Sequence, residues 1–271
     1  MQDDAGEAIQ TFSWVGSQEA FLDAPDVTTC GPVVIGRYGG RTRAGAVKNE
    51  DGALIWCHEG GLWEFTTLLD AHFTAESATL VIAAIEGERE RLTGILAEPV
   101  ARAFPLLHAF FVGLFGSVEF RARCREVEGE ASCLIAVRKG PYLWWLSVGD
   151  CVGYIFNPQL ARLGEYQLNE RRFFEWIGEH NTFDQPVPSY TTGIHKLLAG
   201  TTILALTTDG LFESVTDFYD DPGQLYATLA EDDGEGEPQL MRGVWNALGR
   251  VHEIRGRDSA TVLAWMYKRE R

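Results

Sequence analysis

The chain of 271 residues is long enough for one large domain or two small ones, and at 45% hydrophobic it can bury a sizeable core. Thirty-nine acids against 23 bases leave a formal charge of −16. That balance repels nucleic-acid phosphates and anionic membranes, and no basic stripe overrides it. The five cysteines, Cys30, Cys57, Cys124, Cys133 and Cys151, are odd in number and lack a Cys-x-x-Cys spacing. They read as reduced core thiols in a reducing compartment, and Cys57 beside His58 is too little for a zinc site. The opening MQDDAGEAIQ is acidic, without the apolar stretch of a signal peptide. The expectation is a cytoplasmic protein with neither a nucleic acid nor a membrane as partner.

In chain order, residues 1–30 give weak signals and read as an edge strand or arm. VIGRYGGRTRAG (34–45) reads as a strand running into a basic, glycine-rich loop. ALIWC and LWEFTTLLD, separated by HEGG, are β-rich runs and predict an antiparallel hairpin. After Asp70 the apolar period becomes helical in TAESATLVIAAIEGERERL, with Thr74 as N-cap and Glu76 in the first turn. A second helix covers 100–117. Its run AFPLLHAFFVGLFG is interrupted by Pro105 and His108 and is too short to span a bilayer.

Strands return in ASCLIAVRKG, PYLWWLSVGD and VGYIFN, joined by short hairpin-like links. Residues 157–198 form a mixed insert, with a short helix at RRFFEWIGEH (171–180) and a loop at NTFDQPVPSY. TTILALTTDG is a strand, EDDGEGEP (231–238) an acidic surface loop, QLMRGVWNALGRVHE an amphipathic helix and ATVLAWMYK the last strand. No repeat or low-complexity linker divides the chain. The pattern is a single α+β domain over 1–271 with mainly antiparallel sheet.

Five aspartates stand at strand ends beside a small residue: Asp51 with Gly52, Asp70 with Ala71, Asp150 with Cys151, Asp209 with Gly210, and Asp258 with Ser259. Any one of them alone is an ordinary turn former. As a set they offer carboxylates and closely approached carbonyls, the ligands that Mg²⁺ and Mn²⁺ prefer.

Their order resembles the metal-dependent serine/threonine protein phosphatases of type 2C, the PPM family, in the manner of a divergent bacterial member. The matching pieces are NED (49–51), DAH (70–72), ASC (131–133), GDC (149–151), TTDGLFES (207–214) and RDSATV (257–262), spread over about 36–265. The resemblance implies a four-layer αββα sandwich: two packed, mainly antiparallel sheets flanked by helices, with residues 157–198 as an insert or flap. It implies two Mg²⁺ or Mn²⁺ ions activating water for hydrolysis of phosphoserine or phosphothreonine, with a phosphoprotein substrate and a cognate kinase as partners. Asp70 and the carbonyl of Ala71 would bind metal, Asp209 and Asp258 would complete the coordination of the second ion, and Glu50 and Asp51 would act through metal-bound water. His72 falls on the family histidine, a candidate general acid. Glu128 lies where many members carry an aspartate for a third ion, and Asp150 reads as a turn former. The match breaks where the family grips phosphate: the arginine position three residues before Asn49 is Ala46. Arg43 and Lys48 are the nearest substitutes. The alternative reading is a weakly active or inactive relative that serves as a regulatory or binding module.

Overall fold

A computed structural model describes residues 8–212, 218–231, 239–254 and 257–270. Segment 1–7, most of the acidic loop at 231–238, and Glu213 and Ser214 of TTDGLFES lie outside the described residues. The first half carries β1 (Ile9–Val15), β2 (Asp26–Cys30), β3 (Val33–Tyr38), β4 (Gly52–His58) and β5 (Trp63–Ala71). Four helices follow: α1 (Glu76–Gly87), α2 (Arg89–Ala97), α3 (Val100–Gly116) and α4 (Val118–Cys124). The second half carries β6 (Glu130–Lys139), β7 (Tyr142–Val148), β8 (Val152–Phe156), α5 (Pro158–Ala161), β9 (Ile177–Gly178), β10 (Thr191–Lys196) and β11 (Gly200–Thr207). It closes with α6 (Pro222–Ala230), α7 (Gln239–Glu253) and β12 (Ala260–Arg269).

One sheet has the order β1-β4-β5-β6-β7-β10, with β9 added to β6; the other has the order β2-β3-β12-β11-β8. The ladders that join them are antiparallel. Side chains alternate between the two faces of each strand. On β4, Ala53, Ile55 and Cys57 enter the core between the sheets, while Leu54 and Trp56 enter the core under the α1–α4 layer. On β12, Leu263 and Trp265 face the other sheet, and Val262 and Ala264 pack toward α6 and α7. Both faces of each sheet are therefore covered, and the runs ALIWC and CLIAV are continuously apolar for that reason. The result is the expected α+β arrangement of helix, sheet, sheet and helix layers.

The arm at 1–30 contributes an edge strand to each sheet. Other expectations shift. VGYIFN is no hairpin partner of PYLWWLSVGD: after β7 the chain crosses to the second sheet, where β8 pairs with β11. The helix expected from 74 to 92 ends at Gly87, and a separate α2 begins at Arg89. Ala75 occupies the N-cap position of α1, although the Thr74 hydroxyl accepts the Glu76 N–H at 3.2 Å. No helix forms at 171–180. Phe174 there takes a left-handed φ of +69°, and Ile177–Gly178 is drawn into a two-residue strand on β6. The five cysteines are free and buried. Among the described residues no single helix is long and apolar enough to cross a membrane; only α3 and α4 taken together, bent by 54°, would reach that length.

Candidate active site

The strand-end acids meet because both sheets present the same end to one cleft. Asp70 is the penultimate residue of β5 and pairs in register with Ser132 on β6. Asp150 sits in the crossing between the two sheets. Gly149 before it has φ +90°, and a Cβ there would fall 2.2 Å from the Ser132 hydroxyl, so only glycine fits this turn. The Ser132 hydroxyl in turn hydrogen-bonds a carboxylate oxygen of Asp150. Asp209 follows β11, and its backbone N–H lies 3.4 Å from a carboxylate oxygen of Asp70. A Cβ on Gly210 would sit 1.8 Å from the Ser259 carbonyl, which accounts for the glycine of TTDG.

Carboxylate oxygens of Asp70, Asp150 and Asp209 all lie within 4.8 Å of one another. They line a cleft of about 530 Å³ together with Lys48, Glu50, Ala71, His72, Phe73, Phe173, Trp176, Asp258 and Ser259. Burial, reinforced by Asp51 and Asp150, holds the Asp70 carboxyl well above the usual carboxylate range. Three carboxylates so close repel one another unless a proton or a cation intervenes. Clustered hard oxygen donors suit Mg²⁺ or Mn²⁺, so the residues present fit the ions that the sequence leads one to expect.

Asp51 is not in the cleft lining. It is 1% exposed and lies beneath the cleft, where the hydroxyls of Thr261 (2.6 Å) and Thr208 (3.2 Å) both donate to its Oδ2. Burial, the largest cause, pushes its carboxyl up to about 7. The Asn49 side chain organises this corner, accepting the Asp51 N–H at 3.0 Å and donating to the Ala20 carbonyl. Glu50 reaches the cleft, and Lys48 forms an ion pair with it while also donating to the Phe73 carbonyl.

The other expected residues scatter. Ala71 and Asp258 line the cleft, but Asp258 stays outside the group of three close carboxylates, and Asp150, read from sequence as a turn former, is inside it. His72 lines the cleft with its ring edge-on to Trp176 (centroids 6.4 Å apart), and its Nδ1 is buried without a hydrogen-bond partner. Glu128 is exposed and away from the cleft lining; its N–H donates to Glu76 and its carbonyl accepts from Thr74. Arg43 is exposed and does not line the cleft, and Ala46 is 6% exposed. Sequence reasoning missed Arg171, whose guanidinium donates to Asp209 Oδ2 at 2.9 Å. Its only sequence signal was its place in the insert.

No family model matches the sequence, and no curated protein matches it. Solved structures do match. A variant of a bacterial serine phosphatase superposes with a TM-score of 0.63 at 16% identity, covering 96% of this chain and 98% of that one. The serine/threonine phosphatase Stp1 from Staphylococcus aureus gives 0.60 at 15%, covering 96% and 95%. The catalytic domain of the phosphatase PstP, in complex with two manganese ions, gives 0.53 at 15%, covering 96% and 98%. This is the fold of the metal-dependent serine/threonine phosphatases. Identities of 15–16% carry the phosphatase fold, and the chemistry must come from the residues themselves. The three close aspartates at the strand ends of that fold fit a metal-dependent phosphatase.

Proposed function

We propose that the chain is a Mg²⁺- or Mn²⁺-dependent phosphatase acting on phosphoserine or phosphothreonine in proteins, with residues 1–271 forming one catalytic domain. The observation that carries this reading is the meeting of Asp70, Asp150 and Asp209 from both sheets, within 4.8 Å of one another, in a phosphatase fold. These three, with Asp258, Glu50 and the Ala71 carbonyl around them, are the groups that would hold the ions. Bound there, divalent ions supply Lewis-acid charge to phosphoryl oxygens and lower the pKa of water.

The chain's own residues do the rest. Asp51, held by Thr208 and Thr261, sets the charge behind the cleft. Ser132 fixes the Asp150 carboxylate. His72, on the cleft wall, would hand a proton to the leaving serine or threonine oxygen. Lys48 is committed to Glu50 and to the Phe73 carbonyl, and Arg43 lies away from the cleft lining. Arg171 is not in the lining either, but its guanidinium bonds the lining carboxylate of Asp209, which makes it the best candidate to exchange that contact for a substrate phosphate, for which its planar fork is suited.

The test is hydrolysis of an aryl phosphate and of phosphoserine peptides with Mn²⁺, Mg²⁺ or EDTA. Activity should require metal and fall by orders of magnitude in Asp70→Ala. His72→Ala should hurt phosphoserine peptides more than the aryl phosphate, because a phenolate departs without a proton and an alkoxide does not. Metal-independent turnover, or no turnover with any of these, refutes the assignment.

A further inference from the structure

The acid cleft is also lined by aromatic rings that phosphate hydrolysis does not require. Phe73, Phe173 and Trp176 share its lining with the carboxylates. Phe73 is 70% exposed, Phe173 56%, and Phe174, next to them, 86%. Phe73 and Phe174 each hold φ at +69°, left-handed backbone in which a bulky L-residue is strained. The sequence thus places large apolar side chains where glycine would relax the backbone and a polar residue would suit the solvent. Strain of this kind, when the surroundings maintain it, gathers at binding sites.

The surroundings do maintain it. The Phe73 carbonyl accepts from Lys48, which is itself anchored by Glu50. The turn also lies against Gly129, where an added Cβ would fall 2.1 Å from the His72 carbonyl and 3.2 Å from Phe73 Cβ. Two of the rings are linked to each other and to the chemistry, and Phe173 is linked to it through Arg171. Trp176 meets His72 edge-on, and Phe174 meets Trp176 edge-on with centroids 5.7 Å apart. The Arg171 guanidinium sits 5.1 Å from the Phe173 ring centre while bonding Asp209. Phe73, Phe173 and Trp176 therefore share the cleft lining with the carboxylates, and Trp176 and Arg171 tie that apolar part to His72 and Asp209.

We propose that Phe73, Phe173 and Trp176, buttressed by Phe174, form a selectivity rim for a phosphoprotein segment that carries an aromatic or large aliphatic residue two places from the phosphorylated one. The inference rests on the phosphatase reading and names the substrate class for the same cleft. A volume of about 530 Å³ exceeds what one phosphorylated side chain fills. Its floor is anionic, matched to phosphate only through bound cations, and its rim is apolar. In an extended segment side chains alternate between faces, so the residue two places from the phosphorylated one lies on the same face about 6.6 Å along the chain and falls on the rim while the phosphate reaches the floor. Ring-on-ring contact together with burial of one large side chain is enough for about a ten-fold preference.

The experiment uses phosphoserine peptides that differ only in carrying Phe, Leu or Ala two residues from the phosphoserine. They are tested on the wild-type chain and on Phe73→Gly, a substitution the left-handed backbone accommodates, so that its melting temperature should hold or rise. Wild type should favour Phe and Leu over Ala by about ten-fold in kcat/KM, mainly through KM, and Phe73→Gly should bring that ratio down to about two-fold or less. Phe173→Ser, at an exposed position, provides a second variant that does not depend on the strained turn. Absence of the preference in wild type, or its survival in both variants, overturns the proposal. Fluorescence polarisation of the same peptides, labelled and with Mn²⁺ present, reads the rim without turnover. If no peptide is hydrolysed, the phosphatase reading falls, while tighter binding of the Phe peptide to wild type than to Phe73→Gly still supports the rim and equal binding overturns it. A wild-type dimer that Phe73→Gly dissociates would assign the rings to self-association and also overturns it.

Discussion

Asp51→Asn should make the metal-free protein more stable at pH 8 while leaving it nearly unchanged at pH 4. The wild-type carboxyl is pushed from 3.8 to about 7, first by burial and then, against its two threonine hydrogen bonds, by Asp209 and Glu50. Well below pH 3.8 it is protonated in both folded and unfolded chains and contributes no difference, and at pH 4 the difference is still small. As the pH rises, the unfolded chain releases the proton first, so folding loses stability until the folded carboxyl ionises near 7, after which the loss is constant. A rise from 3.8 to about 7 corresponds to about 4 kcal/mol at 1.36 kcal/mol per pH unit. At 1% exposure solvent screens little of it. Asparagine keeps the shape and can still accept from Thr208 and Thr261, giving back about 1 kcal/mol for the weaker neutral hydrogen bonds. The remaining gain of roughly 3 kcal/mol corresponds to about 5–10 °C in Tm for a chain of this size. Thermal melts of both proteins in EDTA, from pH 4 to 8.5, measure it. Parallel profiles, or a variant less stable at pH 8, would refute the view of Asp51 as a buried charge held at a cost.

Other outcomes follow from the same geometry. Millimolar Mn²⁺ or Mg²⁺ should raise the Tm of the wild-type chain by mass action on the native state, and Asp209→Asn should remove most of that rise; calorimetric titration reads both. Arg171→Ala should tighten Mn²⁺ binding several-fold, since the guanidinium no longer competes for Asp209, and should raise KM for phosphopeptides; an unchanged metal Kd would show that the pair is no competitor. Ala46→Arg should lower Tm by several degrees and restore no phosphate grip. Ala46 is 6% exposed and would be 2.9 Å from a Cβ on Gly40, so a guanidinium there is both overpacked and buried.

The layers were legible because the signals were local. The continuous apolar runs, the change of period after Asp70 and the amphipathic QLMRGVWNALGRVHE all appear as the elements expected of them. Asp70 and Asp209 were legible because each stands at a strand end beside a small residue, and at Asp209 that residue records a close approach, Gly210 against Ser259. What escaped depends on contacts distant in sequence. Asp150 looks like a turn residue because it is one, held by Ser132; its nearness to Asp70 and Asp209 arises only when the crossing from β7 to β8 brings the sheets together. RRFFEWIGEH has helical spacing, but its rings are spent on the cleft mouth, and the backbone bends to put them there. Arg171 carries no motif, since a guanidinium 38 residues from its carboxylate can be placed only by the finished insert.

The position of β12 has a consequence for how the chain is made. It lies between β3 and β11, yet it is the last of these strands to leave the ribosome. Until residues 260–269 emerge, β2 and β3 have no partner on their inner side, and β8 and β11 wait as a separate pair. The first sheet needs nothing beyond β10 and can assemble earlier on its own helices. Synthesis should therefore pass through a stage with one sheet formed and the other divided, its inter-sheet surface bare. During that interval a chaperone has most to protect, and any cation the nascent chain has gathered is held by one sheet alone.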